Sequence, residues 1–196
     1  MDKIPFLIED NFFTEEELTH IWAELDFLNR PDLLLEPPQT GSALTNDGEA
    51  KKRNKGVFLE SLYKYPEVSA LWQASRKLFT SYTVRFSELH LANKTVLGTN
   101  HSTMLMSYYE DGDLYLPHRD RACVTTLYWF FREPRRFEGG ELTFTDTGEV
   151  IELKNNRMIM FPSWAEHSVS QVSMPTRFQN QKLGRYCVTH FLFNAT

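Results

Sequence analysis

The 196-residue chain lacks the features that mark several large classes of protein. It has only two cysteines, Cys123 and Cys187, which are too few for a disulfide framework and are expected to be buried thiols in a reducing compartment. No apolar run approaches the roughly 20 residues that span a bilayer, and the first five residues lack the charged-then-apolar order of a signal peptide. The sequence therefore predicts a cytoplasmic protein with no membrane partner.

A strong excess of one charge is lacking as well. The formal net charge is -5 and the sequence pI is about 5.7, which argues against nucleic acid as a partner. The basic run at residues 51–55 is interpreted as a solvated loop, with attraction of an acidic peptide as its alternative role. The length predicts a single domain covering residues 1–196, and the sequence makes no prediction of oligomeric state.

The N-terminal part reads as helices separated by a long irregular segment. Thr14 with Glu17 forms a capping-box pattern that predicts the start of an amphipathic helix, and Pro66 suits the first turn of a second helix. Residues 30–56 are rich in proline, glycine and basic side chains, which predicts a long loop or loose hairpin. This loop is either a lid or binding loop, or a solvated excursion.

From about residue 85 onward, short apolar stretches alternate with turn residues, which is typical of an all-β sandwich or barrel. Helices followed by strands predict an α+β fold, with the helices bracing one face of the β-sandwich. The strands are expected at residues 103–109, 116–120, 123–131, 141–144, 157–161, 167–172 and 185–193.

A metal site is indicated by His118, Asp120 and His167. Two histidines and one carboxylate are the ligands of the non-haem Fe(II) facial triad, and they suit iron where thiolates would favour zinc or iron–sulfur clusters. On an extended strand, His118 and Asp120 would project from the same face because they are two residues apart. The spacing alone is a weak signal in a chain with six histidines.

Five segments in order resemble the prolyl-4-hydroxylase-like branch of the 2-oxoglutarate- and Fe(II)-dependent oxygenases. The first is an acidic, glycine-containing turn that runs from Tyr108 to the His118-Arg119-Asp120 triplet. The others are Arg121-Ala-Cys-Val-Thr-Thr-Leu-Tyr128, Phe137-Glu-Gly-Gly-Glu-Leu142, the stretch 157–169 that contains Phe-Pro-Ser-Trp before His167, and Gly184-Arg-Tyr-Cys-Val-Thr189.

The resemblance implies a double-stranded β-helix, or jelly-roll, at about residues 85–196, with helical support at about residues 1–84. It implies Fe(II) held by His118, Asp120 and His167, and 2-oxoglutarate as co-substrate, with ascorbate as a further candidate cofactor. Arg185 is expected to bind the distal carboxylate of 2-oxoglutarate, since a guanidinium grips a carboxylate with two hydrogen bonds. Arg177 is a rival at the spacing usual for the family, and choosing Arg185 makes residues 173–182 an insertion.

By the same resemblance, further contacts to 2-oxoglutarate are expected from Tyr108, near the metal, and from Trp129, where hypoxia-type prolyl hydroxylases have a tyrosine that helps to hold the distal carboxylate. Trp129 could donate one hydrogen bond from its indole. Alternatively, Thr125 or Tyr128 takes that role, or Arg185 acts alone. Tyr115 is a weaker candidate for facing the substrate.

The function implied by this resemblance is hydroxylation of proline in a peptide or protein, coupled to decarboxylation of 2-oxoglutarate. The first alternative is a small-molecule hydroxylase, for example of a free amino acid, because a fold does not fix its substrate. The second, disfavoured by the complete ligand set, is a non-catalytic jelly-roll binding module.

Overall fold

The computed structural model describes residues 3–194. Its α-helices are α1 (Glu15–Leu28), α2 (Leu59–Leu62), α3 (Ala70–Ser75) and α4 (Tyr82–Leu89), and short 3₁₀ turns cover Pro37–Thr40, Pro66–Val68, Arg76–Phe79, Leu91–Gly98 and Thr176–Phe178. Within this part of the chain, no helix is both long and apolar enough to cross a bilayer.

Ten strands within residues 3–194 form two antiparallel sheets. They are β1 (Leu7–Asp10), β2 (Lys55–Phe58), β3 (His101–Tyr109), β4 (Tyr115–His118), β5 (Val124–Phe130), β6 (Leu142–Phe144), β7 (Glu149–Ile151), β8 (Arg157–Pro162), β9 (His167–Val169) and β10 (Arg185–Phe193). The major sheet has the order β1-β8-β5-β10-β3-β2, and the minor sheet has the order β4-β9-β6-β7. The predicted jelly-roll with bracing helices is confirmed.

Local sequence signals place several of these elements. At the start of α1, the Thr14 hydroxyl accepts from the Glu17 amide, and the Glu17 carboxylate accepts from the Thr14 amide, so the predicted capping box is present. One face of α1, with Ile21, Leu25 and Leu28, is fully buried. The second helix predicted from Pro66 onward is not continuous, because the segment from Pro66 to Leu89 consists of 3₁₀ turns and two short helices.

The N-terminal support also contributes two strands that the sequence did not predict. Strands β1 and β2 both lie before residue 84, and they form the two edges of the major sheet by pairing with β8 and β3. The four-residue strands Leu-Ile-Glu-Asp and Lys-Gly-Val-Phe are too short to give a period-2 signal. The N-terminal and C-terminal halves of the chain therefore share one sheet.

The major sheet has two buried faces, because its strands alternate side chains between them. One face packs on the helices, and its core includes Met104, Met106, Tyr128 and Val188. The opposite face looks toward the minor sheet across a cavity of about 520 Å³. The predicted metal ligands His118, Asp120 and His167, and also Arg185, line this cavity.

Candidate metal centre and anion pocket

Three potential metal ligands meet at one end of the cavity. His118 ends β4, His167 begins β9, and the two residues are direct partners in the minor sheet. Asp120 lies just beyond β4, where its amide donates to the Ser163 carbonyl. One ligand atom from each of His118, Asp120 and His167 lies within 4.8 Å of the other two. A divalent cation fits between such groups.

Backbone carbonyls orient both imidazoles. The Nδ1 atom of His118 lies 2.9 Å from the Leu116 carbonyl, and Nδ1 of His167 lies 3.0 Å from the Ala165 carbonyl. Since a carbonyl only accepts, each Nδ1 must carry the proton, and each Nε2 keeps a free lone pair. The two Nε2 atoms lie 3.8 Å and 3.6 Å from the Asp120 carboxylate oxygens, so the lone pairs face a shared point.

The His118 ring is kept neutral. Burial lowers the pKa of His118 to about 2, and repulsion from the nearby His167 contributes to the shift. A histidine that is uncharged near neutral pH has a lone pair available for a metal. Tyr115 covers the ring, with 3.5 Å between centroids and an interplanar angle of 13°, which limits its rotation.

The carboxylate of Asp120 is also held in place. The Thr125 hydroxyl donates to Asp120 at 2.6 Å and lies 2.8 Å from the Ser163 hydroxyl, which must then donate to it because the single Thr125 proton is already used. The structure thus places Thr125 beside the metal ligands, at the opposite end of β5 from Trp129. Orienting Asp120 is a different role from the distal-carboxylate contact that the sequence suggested.

The guanidinium of Arg185 lies deeper in the cavity. Arg185 is fully buried, yet none of its three side-chain nitrogens has a hydrogen-bond partner among the described residues. Its charge lies over the rings of Tyr109 and Trp129, with 4.7 Å and 5.7 Å to the ring centroids. A buried cation without a counter-ion is costly, so an anion is expected to complete this site.

The neighbours of Arg185 fit this arrangement. The indole nitrogen of Trp129 is also buried without a partner, so a second donor accompanies the guanidinium. A Cβ at Gly140 would lie 2.7 Å from Cδ of Arg185, and Gly140 has a φ of +79°. The Gly-Gly turn is therefore needed both for its backbone conformation and for the space it leaves to the arginine.

The other candidates for the distal contact lie elsewhere. Arg177 is exposed in the turn Thr176–Phe178, where it stacks on Phe178 at 4.8 Å, and it does not line the cavity. Tyr128 faces the helices, where its hydroxyl lies 3.4 Å from Nδ1 of His190.

Tyr108 and Tyr109 lie on opposite faces of β3. The hydroxyl of Tyr108 contacts Glu110 at 3.0 Å and accepts from the Gly184 amide at 3.1 Å, and its ring packs with the helix-facing core. Tyr109 lines the cavity instead and contacts Arg185. The structure does not bring Tyr108 to the site. Its neighbour Tyr109, which the sequence did not single out, faces the cavity instead because adjacent strand residues point in opposite directions.

The long loop forms one wall of the cavity. Leu44 pairs with Ala50, and Lys52 pairs with Tyr115, so residues 43–53 extend the minor sheet beyond β4. The Tyr115 hydroxyl accepts from the Ala43 amide at 3.1 Å. Of the two readings left open by the sequence, this placement favours a binding loop. Lys52, which was not singled out from the sequence, lines the cavity from this wall.

Comparison with known proteins identifies this arrangement. The model of the 2OG-Fe(II) oxygenase superfamily matches residues 104–193. This stretch, just under half of the chain, thus resembles the 2OG-Fe(II) oxygenase superfamily. The resemblance predicted from the sequence motifs is thereby confirmed at the level of the superfamily. In this superfamily, the expected cofactors are Fe(II) and 2-oxoglutarate. The His118-Asp120-His167 triad fits a cation, and the unpaired Arg185 guanidinium fits a carboxylate.

Individual relatives agree with this family. A PKHD-type hydroxylase from Synechocystis is 31% identical over 91 residues, which cover 37% of this chain and 30% of that protein. The chain thus matches less than a third of the length of this curated relative. A Pseudomonas putida prolyl-4-hydroxylase has a TM-score of 0.64 at 16% identity, covering 99% of this chain and 95% of the other.

A second solved structure has a peptide bound. The prolyl hydroxylase from Trichoplax adhaerens, in complex with a hypoxia inducible factor peptide fragment, has a TM-score of 0.61 at 16% identity. The alignment covers 98% of this chain and 84% of that one. At such identities, the likeness to both solved structures establishes a shared fold.

Proposed function

We propose that this protein is a Fe(II)- and 2-oxoglutarate-dependent dioxygenase that hydroxylates proline in a peptide or protein. The observation that carries the proposal is the pairing of two complementary sites in one cavity. Three ligand groups converge for a cation, and a buried guanidinium without a partner lies deeper in the same cavity. A metal-chelating dicarboxylate joins two such sites, and 2-oxoglutarate has that chemistry.

The roles of the residues follow from their positions. His118, Asp120 and His167 would hold Fe(II) through two neutral imidazoles and one carboxylate. Arg185 would bind the distal carboxylate of 2-oxoglutarate, and the Trp129 indole would donate a further hydrogen bond. Bound iron with 2-oxoglutarate would supply the dioxygen-dependent oxidation of a C–H bond, which no protein side chain can perform.

The remaining residues keep the site in order. Thr125 and Ser163 fix the Asp120 carboxylate, and Tyr115 fixes the His118 ring. Tyr109 covers the guanidinium, and its burial raises the pKa of its hydroxyl, so that it remains a neutral donor toward a bound anion. The wall formed by residues 43–53 would help to keep water from one side of the metal position.

Proline as the target is supported by the prolyl hydroxylases among the structural neighbours, one of which has a peptide bound. The test is incubation of the purified protein with Fe(II), 2-oxoglutarate and proline-containing peptides. We expect succinate formation and a mass gain of one oxygen atom, mapped to proline by fragmentation. A mass gain on free amino acids, with none on peptides, would support the small-molecule alternative.

The metal site is tested by His167→Ala, with exposed His20→Ala as a matched control. Mutation of groups that only orient metal ligands reduces metal affinity or activity by about 10–100-fold. Because His167 would be a ligand itself, we expect His167→Ala to reduce the rate of succinate formation by at least about 100-fold. Binding of Mn(II), followed by calorimetry, should be lost in His167→Ala and kept in His20→Ala. Metal binding and turnover that survive in His167→Ala would contradict the proposed triad.

A further inference from the structure

Lys52 is a buried cation that the proposed reaction leaves unused. The residue is 3% exposed, and its ammonium donates to the Thr40 carbonyl at 2.9 Å. None of the ion pairs among residues 3–194 involves Lys52. An ammonium has three donors, so donors remain available toward the cavity that Lys52 lines.

The position of Lys52 relates it to the metal side of the cavity. Its ammonium lies 5.8 Å from the ring centroid of Tyr115, which in turn stacks on His118. The backbone of Lys52 forms an isolated β-bridge with Tyr115, which fixes the point from which its side chain leaves the backbone. Burial lowers the pKa of Lys52 to about 8, and attraction to Asp120 opposes the shift. The side chain thus remains largely protonated near neutral pH.

The buried and partly buried charges of the loaded cavity leave one positive charge uncompensated; Arg119 and Arg121 also line the cavity, but both are exposed to solvent. With the cofactors of the proposed function, Fe(II), Arg185 and Lys52 supply the positive charges. The two carboxylates of 2-oxoglutarate and Asp120 supply the negative charges, which are one fewer. In a cavity with little water, this difference favours a further anion beside the metal.

We propose that Lys52 binds a carboxylate of the substrate and thereby selects substrates in which the hydroxylated carbon lies near a carboxylate. This inference rests on the proposed function, because it assigns the substrate class of the same site. The carboxylate has two possible sources, a free C-terminal carboxylate next to proline or an acidic side chain next to proline. An ammonium–carboxylate hydrogen bond offsets the burial of both charges, which a neutral carbonyl would not do.

The test measures substrate binding without turnover. Protein loaded with Mn(II) and 2-oxoglutarate is titrated anaerobically in a calorimeter with two matched pairs of probes. The first pair is N-acetyl-L-proline and N-acetyl-L-prolinamide. The second is a peptide with blocked ends that has aspartate next to proline, and the same peptide with asparagine. We expect the carboxylate member of at least one pair to bind about tenfold or more tightly, since a hydrogen bond to a charged group contributes about 1.5–3 kcal/mol.

Variants of Lys52 test whether this residue causes the preference for the carboxylate probe over the amide probe. Lys52→Met should reduce the acid-to-amide ratio to about one, Lys52→Arg should keep part of it, and exposed Lys64→Met should leave it unchanged. The affinity for 2-oxoglutarate should change less than about twofold in all three variants, which also shows that each is folded.

Three outcomes would overturn the inference. In the first, the unmodified protein binds acid and amide equally or binds neither. In the second, Lys52→Met leaves the acid-to-amide ratio unchanged. In the third, Lys52→Met loses 2-oxoglutarate binding. The third outcome would make Lys52 part of the co-substrate site. Failure of the proposed function has a different signature, because the unmodified protein would then not bind 2-oxoglutarate at all.

Discussion

The two faces of the major sheet are both buried, but they differ in how their polar groups are satisfied. On the helix-facing side, the polar atoms without partners are scattered, such as Oγ1 of Thr126 and Nε2 of His190. On the cavity side, all three nitrogens of Arg185 and the indole nitrogen of Trp129 lack partners at one place. Burial alone therefore does not mark a site here, whereas clustered unsatisfied donors do.

The buried histidines repeat this contrast. His190 lies on the helix-facing side against the rings of Trp72 and Phe79, at centroid distances of 5.1 Å and 5.7 Å. Burial alone lowers its pKa to about 3. His118 is also buried and neutral, but a carbonyl fixes its ring and its free nitrogen faces a carboxylate. One histidine packs a core, while the others converge on a cation position.

The largest expected effect comes from removing the charge of Arg185 on the cavity side. Arg185→Met should weaken binding of 2-oxoglutarate by about 100-fold, since two hydrogen bonds to a charged group contribute about 3 kcal/mol or more. Affinity for Mn(II) should remain, because the metal ligands are separate residues. Calorimetry with Arg177→Met as the matched control measures both effects.

The same variant tests whether Arg185 is retained for function at a cost in stability. Without ligand, Arg185→Met should unfold at a temperature no lower than that of the unmodified protein, because a buried cation without a counter-ion is replaced by an apolar side chain. Added 2-oxoglutarate should raise the melting temperature only where Arg185 is present. A strongly destabilised Arg185→Met protein would instead make the guanidinium a structural element.

Tyr109 and Tyr108 compare the two faces at adjacent positions. Tyr109→Phe should weaken 2-oxoglutarate binding about five- to tenfold with little change in stability, because Tyr109 lines the cavity. Tyr108→Phe should lower the unfolding free energy by about 1 kcal/mol with less than a twofold change in affinity, because it loses contacts with Glu110 and Gly184. Denaturant unfolding and calorimetry on both variants decide the assignment, and the reverse pattern would return the role to Tyr108.

The sequence predicted the elements whose signals are local. The Thr14 capping box depends on residues three apart, and the strands from residue 101 onward have repeated apolar stretches bounded by turns. The ligand triad was recognisable because His118 and Asp120 are close in sequence and His167 follows a distinctive turn. For the cavity-side arginine, the choice between Arg185 and Arg177 depended on the apolar strand around Arg185.

Features that depend on strand register or distant pairing were not predictable in this way. Choosing Tyr108 over Tyr109 requires knowing which residues of β3 face the cavity, and a shift of one residue reverses the answer. Thr125 reaches Asp120 only because β5 passes next to the turn after β4. Lys52 looked like one residue of a solvated basic run, since its burial depends on pairing with Tyr115, 63 positions later.

The smallest expected effect concerns His190 and tests the helix-facing side by pH. The pKa of His190 is about 3 in the folded protein, against 6.5 as the reference value, so the unfolded chain binds one more proton at pH values between the two. Stability should therefore be complete above pH 6.5 and should fall with decreasing pH at about 1.4 kcal/mol per unit from this residue. In His190→Phe, this part of the slope should be absent, whereas the exposed control His20→Gln should keep the full slope.

Denaturant unfolding at pH 7, 5.5 and 4.5 measures the slopes, and parallel curves for His190→Phe and the unmodified protein would mean that His190 is not a neutral core residue. Turnover near neutral pH should change little in His190→Phe, because this ring contacts the helices and does not line the cavity.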